Sequence, residues 1–140
     1  MKENEYTVGW VADARWPYVN VMASTRIRCL DIIRFLKNSG IKTGLCRPFG
    51  KYDIVVFQKS FSGSHYKLAK KLSNAGIKII LDVNVNYFEK TGETKQVTGE
   101  QIRDLHRFLG LTNTIFVSSP YLKSVAEEFH SDVHYIPEHI

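Results

Sequence analysis

The sequence predicts a three-layer α/β/α domain, a six-stranded and mostly parallel sheet with helices on both faces. Three observations carry that prediction. Strand-like apolar runs alternate with helical patterns along the chain, the sign of a sheet wound with crossover helices. Several runs are almost continuously apolar, Ile54-Val55-Val56-Phe57 and Ile79-Ile80-Leu81 among them, as strands covered on both sides of a parallel sheet are. At 140 residues with 44% hydrophobic content, the chain (1–140) has the length of one domain and can fill one core.

Six strands are expected: Thr7–Ala12, Ile41–Cys46, Asp53–Gln58, Ile77–Asp82, Thr114–Ser118 and Val133–Ile136. The four helices show apolar stripes at i, i+3, i+4 and i+7 spacing. Cys29, Ile32, Ile33 and Leu36 line the first, and His65, Leu68, Ala69 and Leu72 the second. Ile102, Leu105, His106 and Leu109 line the third, and Leu122, Val125, Ala126 and Phe129 the fourth. Start signals agree with these stripes. Ser24 can cap the first helix, Thr98 with Gln101 forms a capping box, and Ser119 precedes a proline at the first helical position. Gly40, Gly76 and Gly110 fall just past three helix ends, where glycine stops helices.

Two connections break the pattern. Arg47–Tyr52 is too short for a crossover helix between parallel strands, so a bare loop or a weak edge strand is expected. Val83–Val97 is a long polar insertion with a turn at Gly92, of the kind that is either functional or disordered.

Right-handed winding of these units gives a Rossmann-like, doubly wound sheet, with strand order 2-1-3-4-5-6. The order then reverses between the first and third strands, and ligands bind outside the carboxyl ends of the strands at that point. Asp13 and Arg15 follow the first strand there. Gln58, Lys59 and Ser60 close the third, Asp82 and Asn84 the fourth, and Ser118 and Ser119 the fifth.

Neither GxGxxG nor GxxxxGK[ST] is present, and the first strand runs into Asp13-Ala14-Arg15-Trp16-Pro17 without a glycine. A dinucleotide site on this chain is therefore not expected. Arg26 and Arg28 open the first helix, where the helix dipole favours anions. They are candidates for holding an anionic ligand there, against an ordinary solvated role. His65, at the start of the second helix, is the candidate acid or base, with capping or packing as its competing role. Asp82 ends a strongly apolar strand, as a turn cap or a crevice residue. His106 reads as a packing residue. His130, His134 and His139 lack ligand spacing, so no metal is expected. Lys67, Lys70 and Lys71 form a solvated helix face or meet an anionic membrane surface.

A net charge of +5 and a pI near 9.2 favour anionic partners only mildly, and no nucleic-acid footprint is expected. Cys29 and Cys46 make no disulfide framework or metal motif, which fits reduced thiols in the cytoplasm. MKENEYTVGW has no long apolar run, so no signal peptide is expected. No stretch approaches the roughly 18 apolar residues of a membrane helix.

Taken in order, DIVVFQKS (53–60), IKIILDVNVNYFE (77–89) and TIFVSSPYLKSVAEEF…VHYIPEHI (114–140) resemble the amino-terminal domain of a GT-B glycosyltransferase of the family 4 type. Ser24–Arg28 resembles the segment after the first strand of those enzymes. Asn84 and Asn86 stand where the family has further acids, and Pro137-Glu138-His139 where it has Pro-Asn-Gly. The resemblance implies a two-domain enzyme that transfers a sugar from a nucleotide-sugar donor to a carbohydrate or other acceptor. Its carboxy-terminal domain mainly holds the donor, its amino-terminal domain the acceptor, and it has no obligatory metal. On that expectation this chain carries no cofactor, lacks turnover by itself, and places Asp13, Arg15, Arg26, Arg28, Lys59, Asp82 and Ser119 towards the cleft, with His65 as candidate catalyst. A cytoplasmic location is expected, with a peripheral contact at the inner membrane face. The competing expectation is a stand-alone flavodoxin-like binding or signalling module; Asp13 without neighbouring acids, and Gln58-Lys59 ending the third strand, argue against a phosphorylated receiver.

Overall fold

The computed structural model describes residues 5–12, 25–90 and 97–138. Six strands, β1 (Thr7–Val11), β2 (Lys42–Leu45), β3 (Ile54–Gln58), β4 (Lys78–Val83), β5 (Thr114–Val117) and β6 (Val133–Tyr135), form one sheet in the order β2-β1-β3-β4-β5-β6. Every neighbouring pair is parallel. The helices are α1 (Asp31–Asn38), α2 (Gly63–Asn74), α3 (Gly99–Leu109) and α4 (Pro120–Glu127). A π-helical turn, Arg26–Leu30, runs directly into α1. The fold is thus a Rossmann-like three-layer α/β/α domain, with the expected strand order and a sheet parallel throughout.

The two faces are filled unequally. Alternating strand residues such as Val55, Phe57, Ile79, Leu81, Ile115 and Val117 join Ala69 of α2, Leu105 and Phe108 of α3, and Leu122 and Val125 of α4 in the larger core. The opposite face carries Trp10 and Val56, and the π turn and α1 cover them with Cys29 and Ile33. Period-2 alternation in the strands and period-3.6 stripes in the helices meet in both layers. The third helix's stripe is rotated from its expected position: Phe108 is buried with Leu105, while His106 lies towards the surface.

The helix stops follow from backbone chemistry. After α1, Gly40 takes φ +85° while its N–H reaches Lys37 O and the N–H of Ile41 reaches Leu36 O. Gly76 repeats this after α2 at φ +84°, with Ile77 N–H on Leu72 O. These are Schellman stops, open to glycine because it has no Cβ to clash at positive φ. Gly110 differs. It is the C-cap of α3 at φ −61°, ordinary right-handed backbone. At the starts, Thr98 and Gln101 close the expected capping box. Ser119 Oγ accepts from Leu122 N–H at 3.1 Å. Ser24 lies outside the described residues.

The short β2–β3 connection is a bare loop, as its length requires. It lays Tyr52 against the edge of the main core, and the phenol oxygen accepts the Arg47 N–H at 2.8 Å. Gly9 on β1 makes room for that ring. A Cβ there would stand 2.7 Å from Cys46 Sγ and 2.8 Å from Tyr52 Cδ1. Gly9→Ala is therefore expected to lower stability by about 1–3 kcal/mol through overpacking. A urea unfolding curve checks this, and Tyr52→Ser in the same background should recover part of the loss.

The long connection after β4 departs from its polar reading. Tyr87, Phe88 and Val97 are buried in the main core. Asn86 Oδ1 accepts the Phe88 N–H at 3.0 Å, the side-chain turn that asparagine favours. Phe88 then stacks on Phe129 with centroids 5.7 Å apart, and its carbonyl bonds His106 Nε2 at 2.8 Å. His106 is thus hydrogen-bonded at the surface, edge-on to Phe129, and not inside the apolar stripe where its sequence position puts it. Gly92, the expected turn, lies outside the described residues.

Candidate functional site

Because all six strands are parallel, their carboxyl ends share one edge of the sheet. The strand order reverses between β1 and β3, the place where open α/β sheets take ligands. Gln58 ends β3 and pairs in register with Asp82 of β4. Alternation puts Gln58 on the face of Val56, the face covered by the π turn and α1.

Arg28 of the π turn meets Asp82 on that face. Both are buried, at 3% and 2% exposure. Arg28 Nε donates to both carboxylate oxygens at 3.0 and 2.9 Å, and Nη2 donates to Oδ1 as well. Nη1 donates to the Ile136 carbonyl at 2.8 Å, just past β6. One guanidinium therefore ties α1's entrance, the end of β4 and the exit from β6. Burial pushes the Asp82 carboxyl above its usual value, against the pull of the Arg28 hydrogen bonds and charge. An apolar cavity of about 260 Å³ lies beside the pair, lined by Ile32, Leu36, Val56, Ile80 and Phe116.

The other candidate residues are placed as follows. Arg26 is exposed in the π turn. Lys59, just past β3, holds φ +51° and donates its N–H to Asp82 O at 2.7 Å; a side-chain-bearing residue is uncommon in that conformation. Lys59 and His65 line a second, small cavity of about 150 Å³ with Ser62, Gln101 and Asp104. His65 Nδ1 bonds Ser62 Oγ at 2.8 Å and the Ser62 N–H at 3.3 Å, closing the capping box of α2. Its ring meets Phe57 edge-on, with centroids 6.5 Å apart. Ser119 caps α4. Asp13 and Arg15 lie outside the described residues.

In the sequence Arg28 and Asp82 read as separate crevice groups. The structure joins them across 54 positions of chain. A signal existed, since each is a charge set inside an apolar stretch: Arg28 beside Cys29, Asp82 after Ile79-Ile80-Leu81. Buried charges of opposite sign are expected to pair. The sequence also gave no prominence to the state of the carboxamides. Gln58 is 1% exposed, and among the described residues neither Nε2 nor Oε1 has a hydrogen-bond partner. Asn84 Oδ1 and Asn86 Nδ2 are likewise buried and unpartnered.

Among the described residues, no group of three or more His, Cys, Asp or Glu side chains is arranged to hold a metal ion, and no helix is long and apolar enough to cross a membrane. Both cysteines are free. Burial, with the Asp82 charge, pushes the Cys29 thiol up to about 12. Burial pushes Cys46 up to about 11 against a hydrogen bond from Tyr52. Cys29 is expected to resist iodoacetamide at mildly alkaline pH in the native chain and to label promptly in denaturant; fast native labelling of Cys29 would contradict its burial. A thiol whose folded pKa is raised supports the fold fully below its unfolded value of about 8.5. That support is lost as pH climbs through the folded values, so the unfolding midpoint should fall from about pH 9 upward.

No protein-family model, no curated protein and no solved structure matches this chain.

Proposed function

We propose that the chain is the acceptor-side domain of a two-domain glycosyltransferase, which transfers a sugar from a nucleotide-sugar donor. The observation that carries this reading is the carboxyl edge of the sheet beside the β1/β3 reversal. There Gln58 and Asp82 stand side by side, and a buried carboxamide has no partner among the described residues. Ligands bind open α/β sheets at that place. A buried polar group left without a partner marks a position that a ligand or a water completes. The motif order of 53–60, 77–89 and 114–140 supplies the reaction class, an argument by resemblance.

On this reading a second domain holds most of the donor nucleotide and closes the cleft. The acceptor lies across the carboxyl edge, and the Arg28–Asp82 pair fixes the walls around it. The enzyme works in the cytoplasm. Exposed Lys67, Lys70 and Lys71 on α2, with the net charge of +5, support a peripheral contact at an anionic membrane face.

The test is release of nucleoside diphosphate, or transfer, from a panel of sugar nucleotides by the full-length gene product. Turnover with one donor is expected. Silence with every donor, alongside a folded protein, sinks the proposal. One observation favours a second reading, since the order β2-β1-β3-β4-β5 is also that of flavodoxin-like binding modules. Tight binding of a mononucleotide to the 140-residue chain in calorimetry would turn the choice towards that module.

A further inference from the structure

We propose that the Gln58 carboxamide at the end of β3 forms an uncharged subsite that reads hydroxyl groups of a neutral, polyhydroxylated ligand. The inference deepens the acceptor-domain reading and rests on it for the choice of a sugar among polyols.

The first argument is the isolation of Gln58. Its carboxamide is fully enclosed, and among the described residues both of its polar atoms lack partners. A buried polar group left unsatisfied destabilises a fold by about 1–3 kcal/mol. A leucine or methionine would fill the same space without that penalty. Its backbone carbonyl, by contrast, is served by Ser60 Oγ at 2.9 Å, so the local structure meets main-chain needs and leaves the side chain open.

The second argument is charge. The sequence suggests an anion site around Arg26 and Arg28. In the fold the Arg28 guanidinium is committed to the Asp82 carboxylate and the Ile136 carbonyl. The pair beside Gln58 is therefore neutral as a unit. Lys59 borders the separate cavity with His65.

The third argument is the balance of donors and acceptors. Gln58 presents an unused donor, Nε2, beside an unused acceptor, Oε1. A carboxylate or a fully ionised phosphate offers acceptors only, so it could meet Nε2 but would leave Oε1 without a donor. A hydroxyl both gives and receives a hydrogen bond. Two vicinal hydroxyls can therefore meet both ends of one carboxamide, one donating to Oε1 and the other accepting from Nε2.

The experiment follows the Gln58 side-chain NH₂ resonances of the ¹⁵N-labelled 140-residue chain, assigned by their loss in Gln58→Met. Methyl glycopyranosides and myo-inositol are titrated as neutral probes, and inorganic phosphate as the anionic one. Saturable shifts with a neutral probe are expected. Gln58→Met should weaken that binding at least about tenfold, the equivalent of one hydrogen-bonded contact, while raising the urea midpoint. A response to phosphate alone overturns the proposal. So does a Gln58 amide that contacts only a buried water and ignores every probe. If Gln58→Met fails to fold, the wild-type resonances still decide. Polyol binding without any sugar transfer by the full-length product would remove the glycosyltransferase reading and leave the subsite. Transfer with a silent Gln58 would remove the subsite alone.

Discussion

Asp82→Ala is expected to lose about 3–5 kcal/mol of folding stability, the usual consequence of stranding one member of a buried ion pair. Asp82 is 2% exposed and accepts three hydrogen bonds from Arg28. Its removal leaves a guanidinium that is itself only 3% exposed without its counter-charge. Domains of this size are held by about 5–15 kcal/mol in total, so the variant should be close to unfolded at ambient temperature. Arg28→Met should be nearly as damaging, because the carboxylate then stays buried alone and the Ile136 carbonyl loses its donor. The double variant Arg28→Met/Asp82→Leu is the informative control. Well-packed apolar replacements of a buried pair are often neutral or stabilising, so the double variant should regain most of the loss. Urea unfolding of the wild type and the three variants measures this. Additive single effects, with no recovery in the double variant, would show that the pair is not the source of the loss.

Phe88→Ala is expected to destabilise by about 3–5 kcal/mol, the range for truncating a buried phenylalanine. The ring is 1% exposed, stacks on Phe129, and belongs to the main core although it sits in a connection. Phe88→Leu, which keeps most of the volume, should lose under half as much. The magnitude separates two pictures of Val83–Val97. A solvated loop would tolerate alanine within about 0.5 kcal/mol, as surface positions do. A loss of several kcal/mol, read from thermal or urea unfolding, identifies the connection as a core element. Amide exchange offers a second check, since the Phe88 N–H held by Asn86 should exchange far more slowly than exposed loop amides.

These two sites mark where the sequence was readable and where it was not. The strands were legible because parallel strands buried on both faces must be continuously apolar, and Ile54–Phe57 and Ile79–Leu81 are. The caps were legible because Thr98 with Gln101 and Ser119 with Pro120 act within four residues of chain. Phe88 was not legible. Its neighbours Asn84, Asn86, Glu89 and Lys90 are polar, and no period-2 or period-3.6 pattern singles out one ring docking across the ends of α3 and α4. His65 sat on an apolar stripe near the ligand edge, and sequence alone left catalysis and capping open. The fold puts its Nδ1 on Ser62.

The sequence by itself determined the α/β class, the strand order expected from right-handed crossovers, the helix stops at Gly40 and Gly76, and the absence of a glycine-rich phosphate loop. Each depends on short-range chemistry or on patterning repeated along an element. Tertiary structure alone decided which charges cancel and which polar groups stay open. Arg28 and Asp82 are 54 residues apart in the chain, and only strand register and the packing of the π turn bring them together. The same register leaves Gln58 enclosed beside a neutral pair. An edge that looked cationic in sequence is, at this point, an uncharged one in the fold. Ion pairing is a property of distance in space, which linear order does not encode.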